Sequence, residues 1–157
     1  MRKRTYFASR RREGWPEPQE LERYFLAPPG QRWFFETGND SGGIIAEGLN
    51  GTEHLMPGAG RIDLSLDMYG HPELGVLLFH SREGGPDAAI FSSKGDLTKL
   101  REFIRTLHND PMPVGLFIPY EKAWLAVKEF IETDGKLPTS IEWIANKDLP
   151  PGTFPTP

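Results

Sequence analysis

The sequence contains no cysteine. Disulfides, thiolate metal sites and a cysteine nucleophile are excluded together, an absence that fits a cytoplasmic protein. No run of about 18 apolar residues occurs, so no membrane-spanning helix is expected. Acid is absent from the first twelve residues, MRKRTYFASRRR, which carry six of the 18 basic side chains. No apolar stretch follows them, so this is not a secretory signal. Residues 1–14 are expected to be a disordered, solvated basic leader. With Tyr6 and Phe7 as its only large aromatic pair and no helical apolar stripe, the leader is not read as a nucleic-acid or membrane tether.

Catalytic patterns are also missing. No serine stands in a Gly-x-Ser-x-Gly frame. His54, His71, His80 and His108 are dispersed, and none has a metal-ligand spacing. Asp63 and Asp67 fall on one strand face, but four residues of strand span roughly 13 Å, too wide for a retaining carboxylate pair. GNDSGG and GAGR are turns rather than phosphate-binding loops. No RNA-recognition strand or zinc-finger spacing is present. No cofactor and no metal are called for, and an enzyme is not expected.

What remains is a chain of 157 residues, a length suited to one domain. Its 15 prolines and 17 glycines imply short elements joined by many turns. Residues 17–26 read as a helix, 32–37 and 44–49 as strands, and Asn50-Gly51 as a turn. Residues 61–69 alternate cleanly, with Ile62, Leu64, Leu66 and Met68 on one face. Residues 74–80 return as a strand apolar on both faces, and 87–92 make a third strand beside them. Leu97, Leu100, Ile104 and Leu107 have helical spacing, which predicts a helix over 95–110; a strand at 114–119 follows. Tyr120, Trp124, Val127 and Ile131 form the apolar stripe of a second helix, which Pro119 opens and Gly135 stops as the left-handed residue. Residues 140–145 alternate as a strand. The tail, 148–157, is rich in proline and predicted to be extended. Together these elements give an α+β domain over 15–147, a mostly antiparallel sheet with two to three helices packed on one face.

A strand ending in Pro119, an amphipathic helix with Trp124 and Phe130, then Gly135, Pro138 and Trp143 make up FIPYEKAWLAVKEFIETDGKLPTSIEW. This stretch resembles the C-terminal half of the immunity protein family numbered one of bacterial polymorphic toxin systems. The hairpin RIDLSLDMYGHPELGVLLFH resembles that family's central strands. The likeness covers roughly residues 60–145. It implies a small cytoplasmic antidote that binds and blocks the toxin domain of a cognate effector, usually a nucleic-acid deaminase. It also implies an α+β fold marked by a tryptophan, matched by Trp143, and an acidic residue, for which Glu121 and Glu142 are candidates. In the motif itself, Trp124 and Trp143 read as core and Gly135 as a backbone requirement.

The charge balance agrees with that role. From residue 13 onward the chain has 12 basic against 22 acidic residues, a net of −10. A deaminase must hold a polyanion in a basic cleft, and an acidic face would be steered to it. The expected partner-binding residues are Asp63 and Asp67 on the strand face, Asp40 in GNDSGG, Glu36, and Glu47 and Glu53 beside the Asn50-Gly51 turn. Tyr69 and Phe154 are the candidate aromatic anchors. Phe154 is either a clamp onto the partner or a lid on the protein's own core. The partner expected from the resemblance is a toxin domain, in a 1:1 complex with a monomer, without direct contact to nucleic acid or membrane. Alternatives are an antidote or adaptor for another toxin class such as a nuclease, an enzyme using His80 or His108, and an assembly module that binds itself.

Overall fold

In a computed structural model, which describes residues 1–7, 10–27 and 33–156, nine strands and two α-helices make an α+β fold. The strands are β1 (Arg2–Phe7), β2 (Arg10–Glu13), β3 (Ser41–Glu47), β4 (Asp63–His71), β5 (Gly75–Glu83), β6 (Ala89–Ser93), β7 (Phe103–Arg105), β8 (Pro111–Pro113) and β9 (Trp143–Ala145). The helices are α1 (Pro18–Leu26) and α2 (Tyr120–Glu132). Seven strands form one sheet in the order β2-β1-β3-β4-β5-β6-β9, and β7 and β8 pair separately. All of these pairings are antiparallel.

The basic leader is not a frayed tail. Arg2–Phe7 pairs with β3 over six residues and folds back on β2, placing the hairpin at one end of the sheet. Phe7 explains the order. Its ring packs edge-on against Tyr24 at 4.6 Å and beside Trp33 at 4.7 Å, deep in the core. The charge run masked an alternating strand, with Thr5 and Phe7 buried and their neighbours half-buried.

Both helices pack on the same face of the sheet. That face presents Ile44, Ala46, Leu64, Leu66, Met68, Val76 and Leu78. α1 brings Leu21, Tyr24 and Phe25, and α2 brings Trp124, Val127 and Phe130. Phe25 stacks on Trp124 at 5.5 Å, tying the helices together. Glu17 and Glu20 close a capping box at the start of α1. At the end of α2 Gly135 has the expected positive φ, and Asp134 before it (φ 58°) shares the left-handed region, so the turn begins one residue earlier than expected. Gly135, at φ 98°, donates its N–H to Phe130 O at 2.8 Å, completing the two-residue C-terminal motif.

Four sequence expectations fail, each for a local reason. Phe35–Thr37 is a 3-10 turn rather than a strand, although Trp33 is buried beside it; Arg32 lies outside the described residues. Residues 95–110 are not a helix. Asp96 caps one 3-10 turn, Leu97–Lys99, and the chain then enters β7. Leu97, Leu100 and Ile104 still reach one apolar cluster, with Leu77 and Phe117, so helical spacing here serves a turn and a strand. The crossing chain at Gly115 comes so close that a Cβ there would lie 2.5 Å from Asp96 O and 3.0 Å from Leu100 N. Residues 114–119 hold a 3-10 turn, Val114–Leu116, and only Ile118 bridges to Val76. The tail turns rather than extending: Asn146–Asp148 is a 3-10 turn, and Thr153 N–H donates to Pro150 O.

Phe130 is fully buried, 5.2 Å from Trp15 and 5.7 Å from His80 between ring centroids. Phe130→Ala should cost about 3–5 kcal/mol of unfolding free energy, read as a lower denaturant midpoint.

Candidate partner-binding surface

Among the described residues, the second face of the sheet carries no α-helix. Residues opposite each other in an antiparallel sheet point the same way, so the register lays this face out in rows. One row runs Arg2, Glu47, Asp63, Glu83. The next runs Arg4, Ile45, Ser65, Ser81, Ile90. The third runs Tyr6, Gly43, Asp67, Phe79, Ser92. The β7–β8 pair and Leu149 cover the far end, over Leu77 and Phe79.

The charged row is knit together internally. Asp63 receives Arg61 through both nitrogens, Nη2 at 2.8 Å and Nε at 2.9 Å, and also the Gly48 N–H at 3.1 Å. Glu47 pairs with Arg4 and, at 3.8 Å, with Arg61. Both acids are half-buried, so much of their charge is spent on these arginines. The expected acidic plate is therefore a mixed-charge strip.

Asp67 differs. It accepts the Tyr6 hydroxyl at 3.2 Å and the Ser65 hydroxyl at 3.0 Å, and no cation among the described residues bonds to it. Burial lifts its carboxyl above the usual carboxylate range, against the two hydrogen bonds, which pull it down. Burial and the Asp67 charge likewise push the Tyr6 hydroxyl up, keeping it a donor. Gly43 makes this contact possible, since a Cβ there would sit 2.4 Å from the Tyr6 ring.

Beside Asp67 is an aromatic group. Phe79 meets Tyr69 edge-on at 6.2 Å and Phe154 at 5.6 Å. Phe154 is 41% exposed, so it covers Phe79 while keeping a free face. Phe79 and Tyr6 were missed in the sequence. Phe79 lay in a run apolar on both faces, and Tyr6 in the charged leader.

The remaining expected residues scatter. Asp40 is 5% exposed and cannot serve as a surface charge; its Oδ2 accepts the Leu107 N–H at 3.0 Å. Glu53 is exposed and pairs with the Met1 amino group at 2.6 Å. Glu36 is exposed in its 3-10 turn. The motif residues build scaffold: Pro119 precedes α2, Pro138 is fully buried, and half-buried Trp143 donates its Nε1–H to Pro138 O at 2.8 Å. His80 is buried against Gly135 O, and its pKa is lowered by that burial. His71 Nδ1 accepts two backbone N–H groups, from Glu73 and Leu74. Among the described residues no cluster of His, Asp and Glu is arranged to hold a metal.

Asp67 gives a pH-dependent prediction. Its folded pKa is raised, so ionised Asp67 weakens the fold at all pH above that value. Asp67→Asn should therefore raise Tm at neutral pH, by about 2–4 °C if the penalty is ~1 kcal/mol. The gain should fade as pH drops through the folded pKa towards the unfolded value near ~3.9. Thermal melts across that range check it.

Neither the curated proteins nor the solved structures give a match to this chain. No helix among the described residues is long and apolar enough to cross a membrane. The model of one protein family, described as immunity protein Imm1, matches residues 47–145. That span includes β4, β5, β6, α2 and β9, the centre of the sheet and the helix packed on it. Covering more than half of the sequence, the match places the chain in the Imm1 family of immunity proteins.

Proposed function

We propose that this immunity protein neutralises its cognate toxin by docking the toxin on the helix-free face of the sheet, and that the toxin domain is a nucleic-acid deaminase. The observation that carries the reading is the family match over residues 47–145, which contains most of that face. Asp67 and Phe79 lie directly opposite each other on β4 and β5. A toxin arginine or lysine can lay its stem on Phe79 and Phe154 and bring its charge to Asp67. Its charge would then offset the cost of burying that carboxylate. The flat middle of the face, Ser65 and Ser81 with Ile45 and exposed Ile90, supplies contact area around this anchor. The protein acts as a monomer in a 1:1 complex in the cytoplasm, without catalysis of its own.

Two expectations follow. Tagged protein recovered from its native cells should carry one toxin domain per chain. That domain should deaminate nucleic acid, and added protein should stop it. Recovery of the tagged protein alone, from cells shown to express the toxin, contradicts the antidote role; a recovered domain that cleaves nucleic acid instead replaces the deaminase assignment. Separately, Ser81→Arg combined with Ile90→Arg should weaken toxin binding at least about tenfold, a loss of ~1.4 kcal/mol, with Tm nearly unchanged. Undiminished affinity in the folded double variant rules this face out.

A further inference from the structure

The hairpin of β1 and β2 lies outside the family match, which begins at residue 47. β2 is one end of the sheet, and all four of its residues are exposed. Its main chain is partly unpaired. The Gly14 N–H donates to Lys3 O across the hairpin, and bonded pairs alternate along an antiparallel ladder. Thr5/Arg12 and Phe7/Arg10 are then the bonded pairs, and the N–H and C=O groups of Arg11 and Glu13 point to the open edge.

The side chains flanking that edge are mostly basic, with Glu20 in the cleft towards α1 and Glu13 on the helix-free side. Towards α1, Arg10, Arg12 and Arg23 line a cleft of about 130 Å3. On the helix-free side, Arg2, Arg4 and Arg11 line one of about 390 Å3. Arg2, Arg4 and Arg12 are paired with Glu13, Glu47 and Glu20. Arg10 and Arg11 form no ion pair among the described residues.

We propose that the free edge of β2 is a docking site for an extended, acidic segment of a partner protein, added to the sheet as an eighth strand. Such a strand takes the outward main-chain groups of Arg11 and Glu13 and sends successive side chains to opposite faces. Adjacent carboxylates then meet Arg10 on one face and Arg11 on the other. Two competing occupants fit less well. In the antiparallel register that uses both outward residues, a second copy of β2 would set Arg11 against Glu13 but place Arg12 opposite Arg12 and leave Arg10 without a carboxylate. Single-stranded nucleic acid needs exposed rings for stacking, and of the hairpin's two aromatics Phe7 is buried and Tyr6 half-buried.

The test uses the full chain and a short, end-blocked peptide of valine and threonine with two adjacent central glutamates. Fluorescence anisotropy should show binding that weakens with added salt. The Arg11 and Glu13 amides should exchange more slowly in the complex. A glutamine version of the peptide should bind at least about tenfold less, and Arg10→Gln and Arg11→Gln should each cost a similar factor, since each removes a charge-assisted hydrogen bond. Arg11→Pro removes an outward N–H while leaving the bonds to β1, which an edge strand tolerates. It should lose more affinity than Arg11→Gln with its melting curve intact. The proposal is overturned if the folded wild type ignores the glutamate peptide, or binds the glutamine version equally. It is also overturned if oligothymidylate binds through the same two arginines while the peptide does not.

Discussion

Both helices press on one face of a seven-stranded sheet, and most other features of the molecule follow from that asymmetry. The covered face can be apolar throughout, so it collects Ile44, Leu66, Met68, Val76 and Leu78 beneath Phe25, Trp124 and Phe130. The opposite face stays near solvent and has to satisfy its own polar groups. It does so with the Arg4–Glu47–Arg61–Asp63 strip, with hydroxyls donated to Asp67, and with aromatics over Phe79. A face built this way is rimmed by charge and carries rings near one end, a composition that suits the proposed docking of a partner.

Within that surface the charges are not equivalent. Glu47 and Asp63 are held by arginines, and a partner would have to displace those bonds to use them. Among the described residues Asp67 has only hydroxyl donors, and burial disfavours its charge. A carboxylate that weakens its own fold, while a neutral amide of the same shape could replace it, fits a group kept for a partner. The basic leader gives a second asymmetry. The acids of β3, β4 and β5 and the arginines of β1 and β2 belong to one sheet, so charges of both signs meet in it rather than being divided between an acidic body and a loose tail.

Much of the architecture was legible in the sequence. The alternation from Ile62 to Met68 gave β4, the Tyr120–Ile131 stripe gave α2, and the motif from Pro119 to Trp143 pointed to the family. The failures share a cause. Periodicity reports which side chains are apolar, not which element carries them, so Leu97, Leu100 and Ile104 read as a helix although a turn and a short strand place them. Charge hid structure as well, since in β1 the alternation of Thr5 and Phe7 was overwritten by arginine. The candidate surface was half legible. Asp63, Asp67, Glu47, Tyr69 and Phe154 do lie on or beside the helix-free face, but their exposure was not readable. Asp40 is buried in a loop contact. Arg61 does share the strand alternation with Asp63 two residues on, but the Arg4 that pairs with Glu47 is 43 residues away, with no local pattern to link them.

The central claim is that the toxin sits on the helix-free face. A photoreactive phenylalanine analogue tests it most directly when placed at Ser81, and in a separate sample at Leu125, which is 50% exposed on α2. Irradiation of the complex should join the toxin to position 81 and leave position 125 uncoupled. Coupling at 125 without coupling at 81 would put the toxin on the helical side and contradict the account.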